Sequence, residues 1–335
     1  MSGTDSKLQT SGPLRGSVRI GGRPHELYSS ARGLTRELWR DKGGMIGLIA
    51  LVALVLTALG APWIAPHDPA AQSLSDRLLP PFWEAAGSAR HLLGTDHLGR
   101  DVLSRIIVGS RISLLVGVTV VLAAGIFGIT AGLIAGYRGG RLDAFIMRCV
   151  DTQVAFPGLL LALIILAVVG PSMWSVILVL SFNGWMVYAR MARGITVSAK
   201  ESLYVEAAEV IGCRPSRVIF RHILPNLTSP LMTLAILEFA RIVLAEAALS
   251  FLGLEIQPPA MSWGLDVAAG KDYMFRAWWL VTFPGIAIAL TVLAVNLLAS
   301  WARVTSDPQE REKRFAREIA RRRPGSKEPA FSWQP

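Results

Sequence analysis

The chain has 335 residues, 52% of them apolar and 17% charged, with a mean hydropathy of +0.44. That balance excludes an ordinary soluble domain of this length and points to helices embedded in a membrane. The net charge of +10 follows Lys and Arg that flank apolar runs, so it reads as a topology signal, and no nucleic-acid partner is expected.

Residues 1–24 carry Gly and Ser with scattered Arg and read as a flexible tail. Over 25–44, Arg32, Arg36 and Arg40 recur every fourth residue while Ala31, Leu34 and Leu38 take another face, with Trp39 at interface depth. This predicts an amphipathic helix lying on the membrane surface. The region ahead of the first apolar run is too long for a cleaved secretory leader.

Six apolar runs follow, at 45–64, 112–136, 152–170, 173–189, 227–252 and 278–301. About twenty helical residues match the hydrocarbon thickness, and most of the runs reach that length. The fourth is diluted by Asn183 and ends near Arg190. The six-helix region, 45–301, is interrupted by an outer loop at 65–111, a polar loop at 190–226 and a second outer loop at 253–277, and a basic tail follows at 302–335.

The first long loop holds His91, Asp96, His97 and Asp101. Imidazoles and carboxylates suit divalent ions, but the Gly residues between them suit capped turns, and no metal is expected. In the polar loop, Ser198 with Glu201 forms a capping-box pattern for a helix over 198–211. Gly212 permits a turn, Pro215 suits the first position of a second helix running towards His222, and Pro225 stops that helix before the next span. Two short helices joined at a glycine make a knob.

In the fifth run, Glu238 and Arg241 lie on adjacent turns of one face, either pairing with each other or lining a wet pathway. Glu246 lies farther along the same run, and Asn183 and Asn296 can hydrogen-bond between helices. Pro157 and Pro284 bend or begin their helices.

Orientation follows from the cations. Lys7 to Lys42, Arg138 to Arg148, Lys200 to Arg221 and the tail from Arg303 onwards share one side of a six-span chain. The positive-inside bias puts both termini and the knob in the cytoplasm. Cys149 and Cys213 fall on that reducing side, so no disulfide is expected. No phosphate-binding loop is present: Gly270 and Lys271 are followed by Asp272.

The run Glu206, Ala207, Ala208, Gly212, Ile223, Leu224, Pro225 resembles the cytoplasmic coupling loop of ABC importer permeases. Further blocks are similar to the second permease of the dipeptide, oligopeptide and nickel importers. They are Ala61 to Pro66, Gly94 to Arg105, Ala155 to Pro157, Glu246 to Leu254, Pro258 and Pro259 with Ser262, Trp263 and Gly264, and Phe283 to Gly285. Together they cover about residues 35–308. Glu255 and Met261 depart from the pattern, and the extension after Pro308 is longer than usual.

The resemblance implies an all-α integral membrane protein with six transmembrane helices and a coupling-helix loop between helices 4 and 5. It implies a homologous second permease, two ATP-binding subunits that hold ATP and Mg, an extracytoplasmic solute-binding protein and surrounding membrane lipid. This chain itself would bind no cofactor and perform no catalysis. Short peptides are the expected cargo, with nickel complexes, glutathione or another small solute as alternatives, and with Asn183, Glu238, Arg241 and Glu246 as candidate pathway residues. An ion-driven secondary transporter is a second reading, in which Glu238 and Arg241 would be ion or substrate sites. A membrane-embedded enzyme is a third; His25, His67, His91, His97 and His222 all lie outside the apolar runs and leave it without a cluster in the spans.

Overall fold

The structure is a computed structural model that describes residues 41–254 and 260–306. The terminal tails, nearly all of the predicted surface helix, Glu255 and the pair Pro258–Pro259 lie outside the described residues.

The described chain is helical. Its first five helices are α1 (Lys42–Ile64), α2 (Val102–Arg138), α3 (Gly140–Val154), α4 (Gly158–Val169) and α5 (Met173–Lys200). After α5 come α6 (Leu203–Val210), α7 (Pro215–Val218), α8 (Leu224–Phe251), α9 (Trp263–Gly270) and α10 (Trp279–Ser306).

Four helices, α1, α2, α5 and α10, are each long and apolar enough to cross a membrane. The pair α3 and α4 counts as a fifth span only if the two are taken together, because they meet at 88°. The expected continuous helix over 152–170 is therefore broken. Pro157 lacks an amide hydrogen and biases the residue before it away from helix, and the apolar part left in α4 has 12 residues, only about 18 Å of helix. Helix α8 has 28 residues, long enough to cross, but with Glu238, Arg241 and Glu246 it is not among the helices apolar enough to do so by composition.

Two other boundaries differ from the apolar runs. Helix α2 starts at Val102 rather than 112, because Asp101 caps it by accepting from the Ser104 amide. Helix α5 runs on to Lys200, well past the apolar end at 189, since its polar last turns pack on neighbours instead of lipid.

The centre of the bundle is the seam between α2 and α5. Gly128, Gly132 and Gly136 repeat every fourth residue on one face of α2. A Cβ on Gly128 would strike the Trp185 carbonyl, one on Gly132 would strike the Ala189 carbonyl and lie 2.8 Å from Ala192 Cβ, and one on Gly136 would lie 2.8 Å from Thr196 Cβ. Small residues at this spacing let two helix backbones touch, which is how helices associate where lipid removes the hydrophobic driving force.

At one end of the bundle the loop 65–101 folds over α9 and the start of α10. Val102, Ala277, Trp279 and Leu280 form its small core, with Leu78, Leu93 and Tyr273 against it. At the other end, α6 and α7 stand out from α5 and α8 as the knob.

Candidate coupling surface and polar sites

The knob is built by burying one face of each short helix. Val205 and Ala208 of α6, Val218 of α7 and Ile223 are buried in one cluster with Ala192 and Tyr188 of α5 and Leu227 of α8. Residues three apart on α6 share that face, so Glu206 and Ala207 point outward and are exposed.

Helix α6 ends in a Schellman turn. Gly212 has φ +80°, its amide donates to the Glu209 carbonyl at 2.9 Å, and the Cys213 amide donates to the Ala208 carbonyl at 3.0 Å. Cys213 and Ala208 also pack in the same cluster, the apolar contact usual in this motif. Nothing lies within 4 Å of where a Gly212 Cβ would be, so backbone conformation alone calls for glycine here.

The start and end of the knob differ from the sequence reading. Ser198 lies inside α5, and the residue before α6 is Ser202, whose hydroxyl donates to the Ala199 carbonyl instead of capping α6. Pro225 does not stop the second helix. A π turn at Ile219–Ile223 carries α7 into α8, with Leu224 and Pro225 directly after it. Helix α7 therefore forms one continuous helical path with α8, while α6 is set off from it by the turn at Gly212.

Side-chain bonds fix the knob on its neighbours. Tyr137 Oη at the end of α2 donates to Glu209 Oε1 at 3.0 Å, Lys200 Nζ donates to the Tyr137 carbonyl at 3.1 Å, and Asn226 Nδ2 donates to Tyr204 Oη at 2.7 Å. The outer face carries Leu203, Val210, Ile211 and Phe220, between 67% and 83% exposed. Large apolar side chains gathered at that exposure mark an interaction surface.

Of the four expected pathway residues, Glu238 and Arg241 bond to each other, while Asn183 and Glu246 have other partners. Arg241 donates to Glu238 Oε2 from Nε at 2.9 Å and from Nη2 at 2.6 Å, so these charges pair on their own helix. Glu238 is buried while the Arg241 side chain is half exposed. Glu246 lies two turns on, buried, with Ser250 Oγ donating to its Oε1 at 3.3 Å and Ser262 at the start of α9 beside it. Asn183 Nδ2 donates to the Gly158 carbonyl at 3.0 Å, pinning α5 to the break at Pro157. Among the described residues its buried Oδ1 has no hydrogen-bond partner, and neither does Tyr188 Oη on the same helix.

The opposite end holds a buried ionic network. Arg105 on α2 donates to Asp266 Oδ1 of α9 from Nε at 2.8 Å, and the two side chains are almost fully buried. Burial pushes the Asp266 carboxyl above the ordinary carboxylate range even though Arg105 pulls it down. Asp96 accepts from the amides of Leu98 and Arg100 at 2.8 and 2.9 Å and from Arg100 Nε at 2.6 Å. Trp279 Nε1 ties α10 to the Thr95 carbonyl at 3.1 Å. His97 stacks on Tyr273, ring centroids 5.3 Å apart, rather than joining His91. Burial lowers its pKa, with Asp96 opposing that shift and Arg100, Arg105 and Arg77 adding to it.

Sequence reasoning missed three features. The Gly128, Gly132, Gly136 spacing was a readable signal for the seam. The Arg105–Asp266 pair, 161 residues apart, and the approach of His67 to His91 had no local signal.

Residues 128–312 match the family model of the binding-protein-dependent transport system inner membrane component, and residues 31–81 match the N-terminal transmembrane domain of oligopeptide transport permease C. The chain is 42% identical over 278 residues to the di/tripeptide transport system permease protein DppC of Pseudomonas aeruginosa, covering 82% of this chain and 92% of that one. It is 44% identical over 278 residues to the dipeptide transport system permease protein DppC of Escherichia coli, covering 82% and 93%. In fold it is similar to a chain of the MetNI methionine ABC transporter in an inward-facing conformation, with a TM-score of 0.50 and 16% identity over 60% of this chain and 96% of that chain.

Proposed function

The chain belongs to the family of binding-protein-dependent transport system inner membrane components, the multi-pass permease subunits of ABC importers, and from that premise we propose that it imports short peptides as one half of a two-permease pathway. The peptide cargo rests on the names of its relatives. The family implies ATPase and substrate-binding partners. Their composition is part of the proposal: a homologous second permease, two ATP-binding subunits and one extracytoplasmic binding protein. ATP and Mg belong to the ATP-binding subunits, and this chain takes no catalytic step. Both termini and the knob face the cytoplasm, where the cations gather.

The observation that carries the coupling role is the knob's two-sided build. Val205, Ala208, Val218 and Ile223 seat it on α5 and α8, while Glu206, Ala207, Val210 and Ile211 face outward. ATP-driven closure of the ATPases would push on that outer face. Since α7 runs unbroken into α8 and α6 packs on α5, the push moves both membrane helices, and α5 is locked to α2 through the glycine seam. Such rigid-body motion is the usual substance of an alternating-access switch. In this reading Glu206 and Gly212 make the contact, and Ile223, Leu224 and Pro225 transmit it.

The test is purification of the tagged chain in mild detergent from cells carrying its partners, with co-purifying proteins identified, ATPase activity assayed and dipeptide uptake measured. A second permease with ATPase subunits, and peptide uptake lost in Gly212→Trp while the variant still inserts, is the expected result. A homo-oligomer without ATPase, or normal uptake by Gly212→Trp, overturns it.

A further inference from the structure

We propose that His67, His91 and Asp101 form a binding site for a divalent transition-metal ion of the zinc class, at the end of the bundle opposite the knob. The three residues come from separate places: His67 lies three residues past the end of α1, His91 sits in the long loop, and Asp101 caps α2. Their ligand atoms all fall within 4.8 Å of one another. His91 Nδ1 is 3.0 Å from Asp101 Oδ1, His67 Nδ1 is 3.8 Å from Asp101 Oδ2, and the two imidazole centroids are 4.9 Å apart. Donor atoms bound to one tetrahedral zinc at about 2.0–2.2 Å lie roughly 3.3–3.6 Å from each other. His91 Nδ1 and Asp101 Oδ1 are near that spacing, and the His67 ligand atom, within 4.8 Å of both others, has only a short way to move in.

Two details favour a metal over a plain hydrogen-bonded cluster. First, the carboxylate is divided in its duties: Asp101 Oδ2 accepts from the Ser104 amide at 2.8 Å and from Ser104 Oγ at 2.7 Å, which leaves Oδ1 as the ligand atom. A carboxylate held by its second oxygen is the outer-shell support that metal ligands use. Second, His67 Nδ1 is buried and has no hydrogen-bond partner among the described residues. A buried polar nitrogen left this way is costly, and a metal lone-pair bond satisfies it without the proton that a hydrogen bond to Asp101 would need. The His67 backbone is held in place, its amide donating to Ser104 Oγ at 3.0 Å, so the ring and its support share one serine.

The donor set names the class of ion. Two imidazoles and one carboxylate suit zinc, cobalt or nickel, whereas calcium and magnesium call for six or more oxygens or several retained waters. Three protein ligands leave a fourth position for water. Bound there, the ion would cross-link the end of α1, the long loop and the start of α2. The sequence had paired His91 with His97, but the fold stacks His97 on Tyr273 and brings His67 in its place.

The experiment uses the full chain in detergent, its affinity tag removed and metal stripped with a chelator, titrated with Co2+ alone and then displaced with Zn2+. One equivalent of Co2+ with the intense visible bands of a tetrahedral site is expected, released by Zn2+. His67→Ala and His91→Ala should each weaken binding at least tenfold, and His97→Ala should leave it unchanged. His67 makes no side-chain hydrogen bond among the described residues, so His67→Ala decides the matter even if His91→Ala disturbs the loop. No saturable binding, or binding that is the same in wild type and His67→Ala, overturns the proposal.

Discussion

The two ends of the bundle solve the problem of leaving the membrane in opposite ways. The loop-rich end pairs many of its polar groups within the chain, though not His67 Nδ1, His97 Nδ1 or Asp266 Oδ2 among the described residues: Arg105 meets Asp266, Asp96 takes two amides and Arg100, Asp101 holds Ser104, and Trp279 reaches the Thr95 carbonyl. The knob end buries one face and leaves Leu203, Val210, Ile211 and Phe220 exposed. Both ends leave apolar side chains open, Leu74 at 71% and Phe275 at 100% on the loop-rich side, so the contrast lies in polar pairing: an end held by its own ionic network is built to keep a shape, and a knob seated mainly by apolar packing is built to be completed by a partner. Mutations should therefore cost stability at the first end and coupling at the second.

The largest expected effect tests the loop-rich end. Arg105→Ala leaves the fully buried Asp266 without its cation, and breaking a buried pair on one side costs about 3–5 kcal/mol. The thermal midpoint of the purified chain should fall sharply. Arg105→Met combined with Asp266→Leu should recover most of the loss, because no unpaired charge remains. If the single variant melts like wild type, the loop-rich end does not depend on its ionic network.

Next comes the seam that joins the two ends. Gly132→Val puts a side chain into the Ala189 carbonyl and against Ala192 Cβ, and overpacking of this kind costs about 1–3 kcal/mol. It should lower the midpoint and weaken uptake together, since α2 and α5 could no longer move as one body. A variant that loses stability but keeps uptake per folded molecule would separate the seam from coupling.

These two sites also show how much the sequence disclosed. The apolar runs located the membrane segments, and Gly212 and Pro215 located the knob, because helix length and turn chemistry are local properties. The break at Pro157 was visible as a proline but not as an 88° bend, which depends on how α3 and α4 pack along α5. Asn183 reads as able to hydrogen-bond between helices and Glu246 as an acid farther along its run, neither with a named partner. Their partners, Gly158 and the Ser250 with Ser262 environment, come from tertiary contacts. Arg105 and Asp266, likewise, are joined only by the fold.

A smaller effect distinguishes the ends by pH. Burial holds the His97 pKa below its ordinary value of 6.5, so the folded chain binds fewer protons there than the unfolded one. The His97 contribution is then complete above about pH 6.5 and is lost as the pH falls from there towards the lowered folded value. Hydrogen exchange of residues 77–100 should speed up on mild acidification, and His97→Phe, which keeps a ring on Tyr273, should flatten that response. Exchange over 203–223 serves as the internal control. An equal response in His97→Phe would assign the pH dependence to another group.

The smallest expected change in stability belongs to Gly212, and it separates shape from contact. The residue needs a positive φ but has open space around it, so Gly212→Ala should cost about 1–2 kcal/mol from the left-handed backbone alone. Gly212→Asn should cost less, since asparagine tolerates that conformation. Gly212→Trp pays a similar backbone cost to alanine but also adds a bulky ring to the exposed face. If the knob works by its turn geometry, alanine and tryptophan lose uptake alike. If it works by fitting a groove, alanine and asparagine keep most of their peptide-stimulated ATPase activity and tryptophan loses it. The second outcome is expected, because the neighbours of Gly212 on the outer face are exposed apolar side chains whose surface a partner must cover.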